Sequence, residues 1–338
     1  GYDLNQTLID YNSQSSNLRA AMVGILNTLL VAVLGCITAT IFGVIAGVLR
    51  LSNNWLVSKL MAFYVEIFRN IPVLIWIIII FSIMTVSMPA PRAFRGDDAT
   101  SSMLFDSFAF TNRGVYSPAP VVDGVSGWIV IAVFIASIIG IFAYRKFATK
   151  KLYDTGQLLP TFWPSVAMFF VPAILVYFIL GRPITLDYPS LQGFNFKGGL
   201  HLRGSLIALW FALAIYTGAF IAENVRAGIQ AISKGQTEAA ASLGLRPGRI
   251  MNLVVLPQAL RVIIPPLISN YLNITKNSSL AILVGYADVT ATLGGITLNQ
   301  TGRAIECILL LMLFYLTISL LISAVINVYN NAIKLKER

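Results

Sequence analysis

Residues 226–259 read RAGIQAISKGQTEAAASLGLRPGRIMNLVVLPQA. The stretch is polar and basic at its centre and passes into apolar sequence on either side. Thr237 has the side-chain oxygen of a helix N-cap, and Glu238 behind it suits the positive end of a helix dipole. Ala239, Ala240 and Ala241 favour helix and leave a shallow surface. Gly244 can take the left-handed stop that ends a helix, and Pro247 can open the next one. The spacing predicts two short helices meeting at a bend, flanked by Arg246 and Arg249. A hairpin of small residues can press into a groove on another protein, or it can stand simply solvated. The residues alone fit both readings.

Outward from this hairpin the chain is a series of apolar runs, and about 20 apolar residues span a bilayer as helix. Seven candidates occur. Residues 20–49 end at Arg50 and are longer than needed, so they tilt or project beyond the lipid; Gly43 and Gly47, four apart, permit close helix packing. Residues 54–88 are interrupted, because Pro72 follows Glu66, Arg69 and Asn70. This predicts an interfacial helix over 54–69 and a span over 71–88. Further spans are expected at 127–144, 160–180 and 204–225, the last meeting Glu223 and Arg226 at its end. Residues 252–289 are broken by Pro257, Pro265 and Pro266, and 304–331 precede Lys334, Lys336 and Arg338. The fold class expected is an all-α integral membrane protein of about seven spans. The absence of an internal repeat argues against an inverted-repeat secondary transporter.

Composition excludes the main alternatives. Of 338 residues 57% are hydrophobic and only 11% charged, against about 25% charged in a soluble domain. An ordinary soluble enzyme and a disordered chain are both ruled out. Cys36 and Cys307 lie in apolar runs and give no disulfide framework, and a single histidine, His201, argues against a His-based metal site. His201 reads as an ordinary loop residue. The net charge is +10, which in a membrane chain reflects loops held at the cytoplasmic face. No Lys/Arg run with interleaved aromatics points to nucleic acid.

The basic residues set the orientation. Arg145, Lys146, Lys150 and Lys151 crowd one short loop, Arg226, Lys234, Arg246 and Arg249 another, and the tail 332–338 carries three more. With seven spans all of these fall on one side, the cytoplasm. Residues 1–19 then lie outside, as do the loops 89–126 and 181–203 with Asp97, Asp98, Asp106, Asp123 and Asp187.

Glu238-Ala239-Ala240, then Gly244, then Leu256-Pro257 resembles the EAA motif of ABC-importer permeases. Tyr64-Val65-Glu66-Ile67-Phe68-Arg69-Asn70-Ile71-Pro72, Thr217-Gly218-Ala219-Phe220 with Ala222-Glu223, and Leu256-Pro257-Gln258-Ala259 resemble the polar amino-acid (histidine/glutamine permease) branch of that family. Together these cover most of 20–88 and 204–331. Within the branch the sequence most resembles the Q-type subunit of the general L-amino-acid permeases, through RAAMVGILNT from Arg19, Leu51 to Leu56, and Arg69-Asn70-Ile71-Pro72. Compact relatives have five spans, so 89–203 reads as an insertion carrying an added pair. Members of the subgroup also carry another N-terminal span. Because the chain opens on Gly1 without an initiator Met, it is expected to start inside a longer product.

The resemblance implies a type I ABC-importer transmembrane domain in the bacterial inner membrane. Its loop 226–257 would act as the coupling loop, with Glu238, Ala239, Ala240, Gly244 and Arg246 docking on an ATPase. The implied partners are a homologous second permease, an ATPase dimer that holds ATP and Mg, and a periplasmic amino-acid-binding protein. The chain has no GxxxxGK[ST] phosphate loop of its own. Lys276-Asn277-Ser278-Ser279 stands where many relatives have Lys-Asp-Thr-Ser, which argues against a preference for cationic substrates.

Pro265-Pro266 is expected to end one helical piece and start another, placing Lys276 about 15 Å into the membrane. An ionisable group there is a functional candidate by default. Lys276 would meet a substrate carboxylate, and Asn277, Ser278 and Ser279 would offer neutral hydrogen bonds; the same lysine can instead snorkel. Glu66 with Arg69, and Glu223 with Arg226, each three apart, suit ion pairs with structural or gating roles. An ATP-independent secondary amino-acid transporter or channel is the alternative, but it gives no reason for the Glu-Ala-Ala, Gly and Leu-Pro spacing. A membrane enzyme is disfavoured, because no paired intramembrane carboxylates, metal cluster or Ser/His/Asp set is present.

Overall fold

Lipid offers the backbone no hydrogen bonds, so a spanning segment must satisfy its own, and the apolar runs form helices. The structure, a computed structural model, describes residues 9–12, 14–96 and 100–333. Asp97, Asp98, the basic tail residues Lys334, Lys336 and Arg338, and residues 1–8 and 13 of the N-terminal segment lie outside the described residues.

In chain order the elements are α1 (Asn17–Leu49), α2 (Trp55–Asn70), α3 (Val73–Ser87), β1 (Ala109–Thr111), β2 (Gly114–Ser117), β3 (Ala119–Val122), α4 (Gly124–Thr155) and α5 (Phe162–Ile179). There follow β4 (Ile184–Asp187), β5 (Ser190–Gln192), β6 (Asn195–Lys197), β7 (Leu200–Arg203), α6 (Gly204–Gln230), α7 (Lys234–Ser242) and α8 (Pro247–Ile250). The last are α9 (Leu256–Asn277), α10 (Val289–Ala291), α11 (Leu298–Thr301) and α12 (Ala304–Ile333). Among the described residues six helices are long and apolar enough to cross a membrane, and seven spans result if the bent pair α2–α3 counts as one.

That pair shows how local sequence shapes the fold. Asn54 caps α2 by accepting from the backbone N–H of Leu56 and Val57. Ile71 sits at φ −103°, ψ 131°, the extended region favoured before proline. The chain turns by 105° there before α3 begins.

The chain forms two units. One holds α1–α3 and α6–α12 and is built around α6, which packs against α1, α3 and α9. Leu209, Ala212, Leu213 and Ile221 of α6 are fully buried, with Val31 and Ala39 of α1 and Ile274 of α9. The α1–α6 contact runs over glycine. A Cβ on Gly43 would lie 2.5 Å from the Ile221 Cβ, and one on Gly47 would lie 2.6 Å from the Ala222 carbonyl oxygen.

Pro265 and Pro266 do not divide the helix there; α9 runs unbroken from Leu256 to Asn277. Both rings are exposed, while Ile263 and Ile274, with Leu267 and Tyr271 partly buried, pack into the core from the opposite side. Packing holds the helix through the two missing N–H donors.

The other unit comprises 89–111 and 115–202 and pairs α4 with α5. The basic residues Arg145, Lys146, Lys150 and Lys151 do not form a short loop. They lie on α4, which continues to Thr155 and stops at Gly156, φ +71°. Lys and Arg are good helix formers and favour the negative end of the dipole. Outside these two helices lie a 3-10 turn at Pro91–Phe94 and short strands: a sheet in the order β1-β2-β7 and the hairpins β3-β4 and β5-β6. They enclose a small core of Ala109, Tyr116 and Phe196. His201 lies on β7, stacked on Tyr116 at 4.1 Å between ring centroids.

Candidate functional site

The hairpin at 234–250 is closed by backbone geometry. Gly244, at φ +79°, donates its N–H to the Ala241 carbonyl at 2.9 Å, and Leu245 donates to that of Ala240 at 3.4 Å. This is a Schellman stop, with the accompanying contact between Leu245 and Ala240. Pro247 opens α8 as its first residue. The start of α7 differs from expectation. Ser233, not Thr237, is its N-cap residue, and it makes no side-chain capping bond. The Thr237 hydroxyl instead donates back to the Lys234 carbonyl at 2.6 Å. Glu238 therefore lies in the second turn, where the dipole favours it less. Gly235 costs little in the first turn and proline is absent there, so the helix starts one turn earlier, at Lys234.

The hairpin has two faces. Ala240 is buried, with Ile250 and Val255, against Ile229 and Ile232. Glu238, Ala239, Gly244 and Arg246 are exposed. Thus four of the five residues singled out are exposed, and Ala240 is the buried foot of the hairpin. Leu243 was missed by the sequence reading although it is 81% exposed. Its signal was a large aliphatic residue directly before a glycine stop, with no helical neighbour to bury it.

A second cluster joins the end of α1 to α2 and α6. Arg50, the C-cap residue of α1, pairs with Glu223 on α6. Its other terminal nitrogen lies 3.7 Å from Glu66 on α2, and its carbonyl accepts from the Ser58 hydroxyl at 2.8 Å. Arg226 Nε donates to Glu223 at 3.1 Å, as its spacing implied. Glu66 and Arg69 do not pair. Glu66 takes Arg50 and, at 3.5 Å, the Asn70 amide, while the Arg69 guanidinium lies 5.4 Å from the Phe220 ring centroid. A three-residue spacing permits a pair, but the partner brought by the fold competes for it. Arg50, the centre of the cluster, was read only as the end of a span.

The Lys276–Ser279 group sits at the end of α9 and just beyond. Lys276 is exposed, Asn277 and Ser279 are half-buried, and Ser278 is fully buried. The Ser278 and Ser279 hydroxyls donate to the carbonyls of Thr275 and Lys276, each at 2.7 Å.

Next along the chain lies a buried polar knot that sequence reasoning did not find. Asp288 is 0% exposed and caps α10 by accepting from the Ala291 N–H at 2.9 Å. Asn27 of α1 donates its amide to the Ala287 carbonyl at 2.9 Å. Tyr286 donates to the Asn27 carbonyl at 3.1 Å, and the Val289 N–H donates to the Thr28 hydroxyl at 3.0 Å. The Tyr315 hydroxyl of α12 lies 3.5 Å from Asp288 and 3.1 Å from that of Thr290. These bonds fasten the irregular segment after α9 to both α1 and α12.

A sequence profile described as binding-protein-dependent transport system inner membrane component matches residues 147–335. The chain belongs to that family. This inner-membrane transport component is 54% identical, over its whole length and 84% of the relative, to the glutamate/glutamine/aspartate/asparagine transport system permease protein BztB of Rhodobacter capsulatus. It is 45% identical to the general L-amino acid transport system permease protein AapQ of Rhizobium johnstonii, again over the whole chain and 82% of the relative. Among solved structures, an amino acid ABC transporter with histidines aligns over 93% of this chain and 94% of that one, with a TM-score of 0.53 at 18% identity. The MetNI methionine ABC transporter aligns over 95% and 100%, with a TM-score of 0.50 at 15% identity. At such identities the structures establish the fold alone, that of an ABC-importer permease.

Proposed function

We propose that this chain is one permease half of an ATP-driven importer that moves a broad range of L-amino acids inward by alternating access. The second half is a homologous permease, and a periplasmic binding protein delivers the substrate. ATP and Mg are bound, and the ATP hydrolysed, by a separate ATPase dimer. The amino-acid permeases to which the chain is similar over its whole length support the substrate class.

The exposed hairpin α7–α8 carries the reading. It leaves Glu238, Ala239, Leu243, Gly244 and Arg246 exposed while Ala240 anchors it to the body. A small-residue ridge with one protruding leucine and a flanking cation suits insertion into a groove of a partner. The hairpin follows α6 directly, and α6 packs against α1, α3 and α9, so a push on it reaches the spans. Arg50, at the end of α1, joins it to Glu66 of α2 and Glu223 of α6, and this cluster gates or stiffens the unit. The hairpin and the C-terminus face the cytoplasm, and residues 1–19 the periplasm.

An amino acid crossing lipid must replace the hydration of both its carboxylate and its ammonium. Lys276 meets the carboxylate, and Asn277, Ser278 and Ser279 offer uncharged partners, which suits a broad range of side chains. The test is co-expression with a nucleotide-hydrolysing subunit, followed by reconstitution into vesicles. A stable complex and ATP-dependent uptake are expected. Uptake driven by an ion gradient with no ATPase present would overturn the reading.

A further inference from the structure

Helix α4 is longer than a bilayer requires. Its 32 residues extend about 48 Å, against a hydrocarbon core of about 30 Å. The apolar stretch ends at Tyr144, whose hydroxyl donates to the Pro160 carbonyl at 2.8 Å and ties the helix to the chain entering α5. Beyond Tyr144 the helix continues through Arg145, Lys146, Lys150 and Lys151, with Asp154 the one acid on the stretch. Among the described residues these four cations make no ion pair; Arg145 Nε reaches the Ser165 hydroxyl at 3.4 Å.

The helix dipole alone accounts for cations near a C-terminus. It does not account for the exposed apolar side chains among and just beyond them. Phe147, Leu152 and Tyr153 are exposed, Tyr153 to 84%, and so are Leu158 in the following loop and Phe162 and Trp163 at the start of α5. In water this surface would stay wet at a cost. In the headgroup layer the rings reach the acyl boundary while the ammonium groups reach the phosphates. Lys146 and Lys150 are four residues apart and Tyr153 is three further, so all three line one face with neighbouring Cβ atoms about 5–6 Å apart. Ala148, on the opposite face, is buried.

We propose that Lys146, Lys150 and Tyr153, with Lys151 at the margin, form a binding site for the phosphate of an anionic phospholipid. The two ammonium groups neutralise the phosphodiester and the phenol donates to a phosphate oxygen, while Phe162 and Trp163 mark the same level on α5. The inference rests on the chain spanning a membrane and not on what it transports. Each cation near an anionic surface strengthens binding about 5-fold.

The test is native mass spectrometry of the intact protein titrated with phosphatidylglycerol or with phosphatidylcholine. The unaltered protein should retain phosphatidylglycerol preferentially. The triple variant K146Q/K150Q/K151Q should lose roughly 10- to 100-fold of that retention, with phosphatidylcholine retention unchanged, and K146R/K150R/K151R should keep it. The triple variant K234Q/R246Q/R249Q removes the same charge from the hairpin and should leave retention intact. Equal losses in the two glutamine triples, or no loss in the first, overturn the site.

Discussion

Gly43 of α1 lies against Ile221 of α6 so closely that a Cβ on it would stand 2.5 Å from the Ile221 Cβ and 2.9 Å from the Gly218 carbonyl oxygen. Without much hydrophobic drive between helices in lipid, close backbone approach is what holds spans together. Gly43→Ala should therefore destabilise the protein by about 1–3 kcal/mol, seen as a lower midpoint of thermal unfolding in detergent. Gly235 on α7 has open space around its would-be Cβ. Gly235→Ala should leave the midpoint unchanged or raise it, since alanine is the better helix former. Equal loss in both would remove the packing argument.

The charge cluster separates strong from weak pairs. The Arg50 and Glu223 side chains are 16% and 22% exposed, while Glu66 is 60% exposed. Glu223→Gln leaves Arg50 and Arg226 short of a shared acceptor and should cost about 2–3 kcal/mol, below the range for a fully buried pair. Glu66→Gln should cost about 1 kcal/mol or less. Denaturant unfolding of the two variants reads the difference, and a larger loss at Glu66 would contradict it.

Asp288 caps α10 inside the protein. Asp288→Ala removes a cap, worth about 1 kcal/mol, and takes an acceptor from Tyr315. It should also loosen the segment 278–301, read as faster cleavage there in limited proteolysis. Asp288→Asn keeps an acceptor oxygen and should be milder. Identical cleavage in Asp288→Ala and the unaltered protein would show that the cap does not hold the segment.

If Lys276 meets the substrate carboxylate, Lys276→Met should weaken uptake of acidic, neutral and basic amino acids alike, because all share that group. Competition between labelled substrates in reconstituted vesicles measures it. A loss confined to one side-chain class would remove Lys276 from that role.

Local signals were readable and long-range ones were not. The break at Pro72, the close approach at Gly43 and Gly47, and the stop at Gly244 followed by a start at Pro247 each follow from one residue's backbone or size. The continuous α9 did not follow from Pro265-Pro266, because burial of Ile263 and Ile274 on the other face outweighs the missing donors. Glu66 chose Arg50, and Asn27 chose the carbonyl of Ala287, 260 residues away; no spacing rule reaches such partners. Asp288 looked like the end of an apolar run because the bonds that make it a cap come from residues brought there by folding. The strands β1–β7, three or four residues each, are too short for alternation to appear.

The account turns on the hairpin being the handle of a separate motor, and Leu243 at its tip offers the most direct measurement. Leu243→Cys, placed in the intact transporter, should form a short thiol cross-link to the nucleotide-hydrolysing subunit and resist membrane-impermeant thiol reagents added outside whole cells. Labelling from outside, with no cross-link to that subunit, would contradict it.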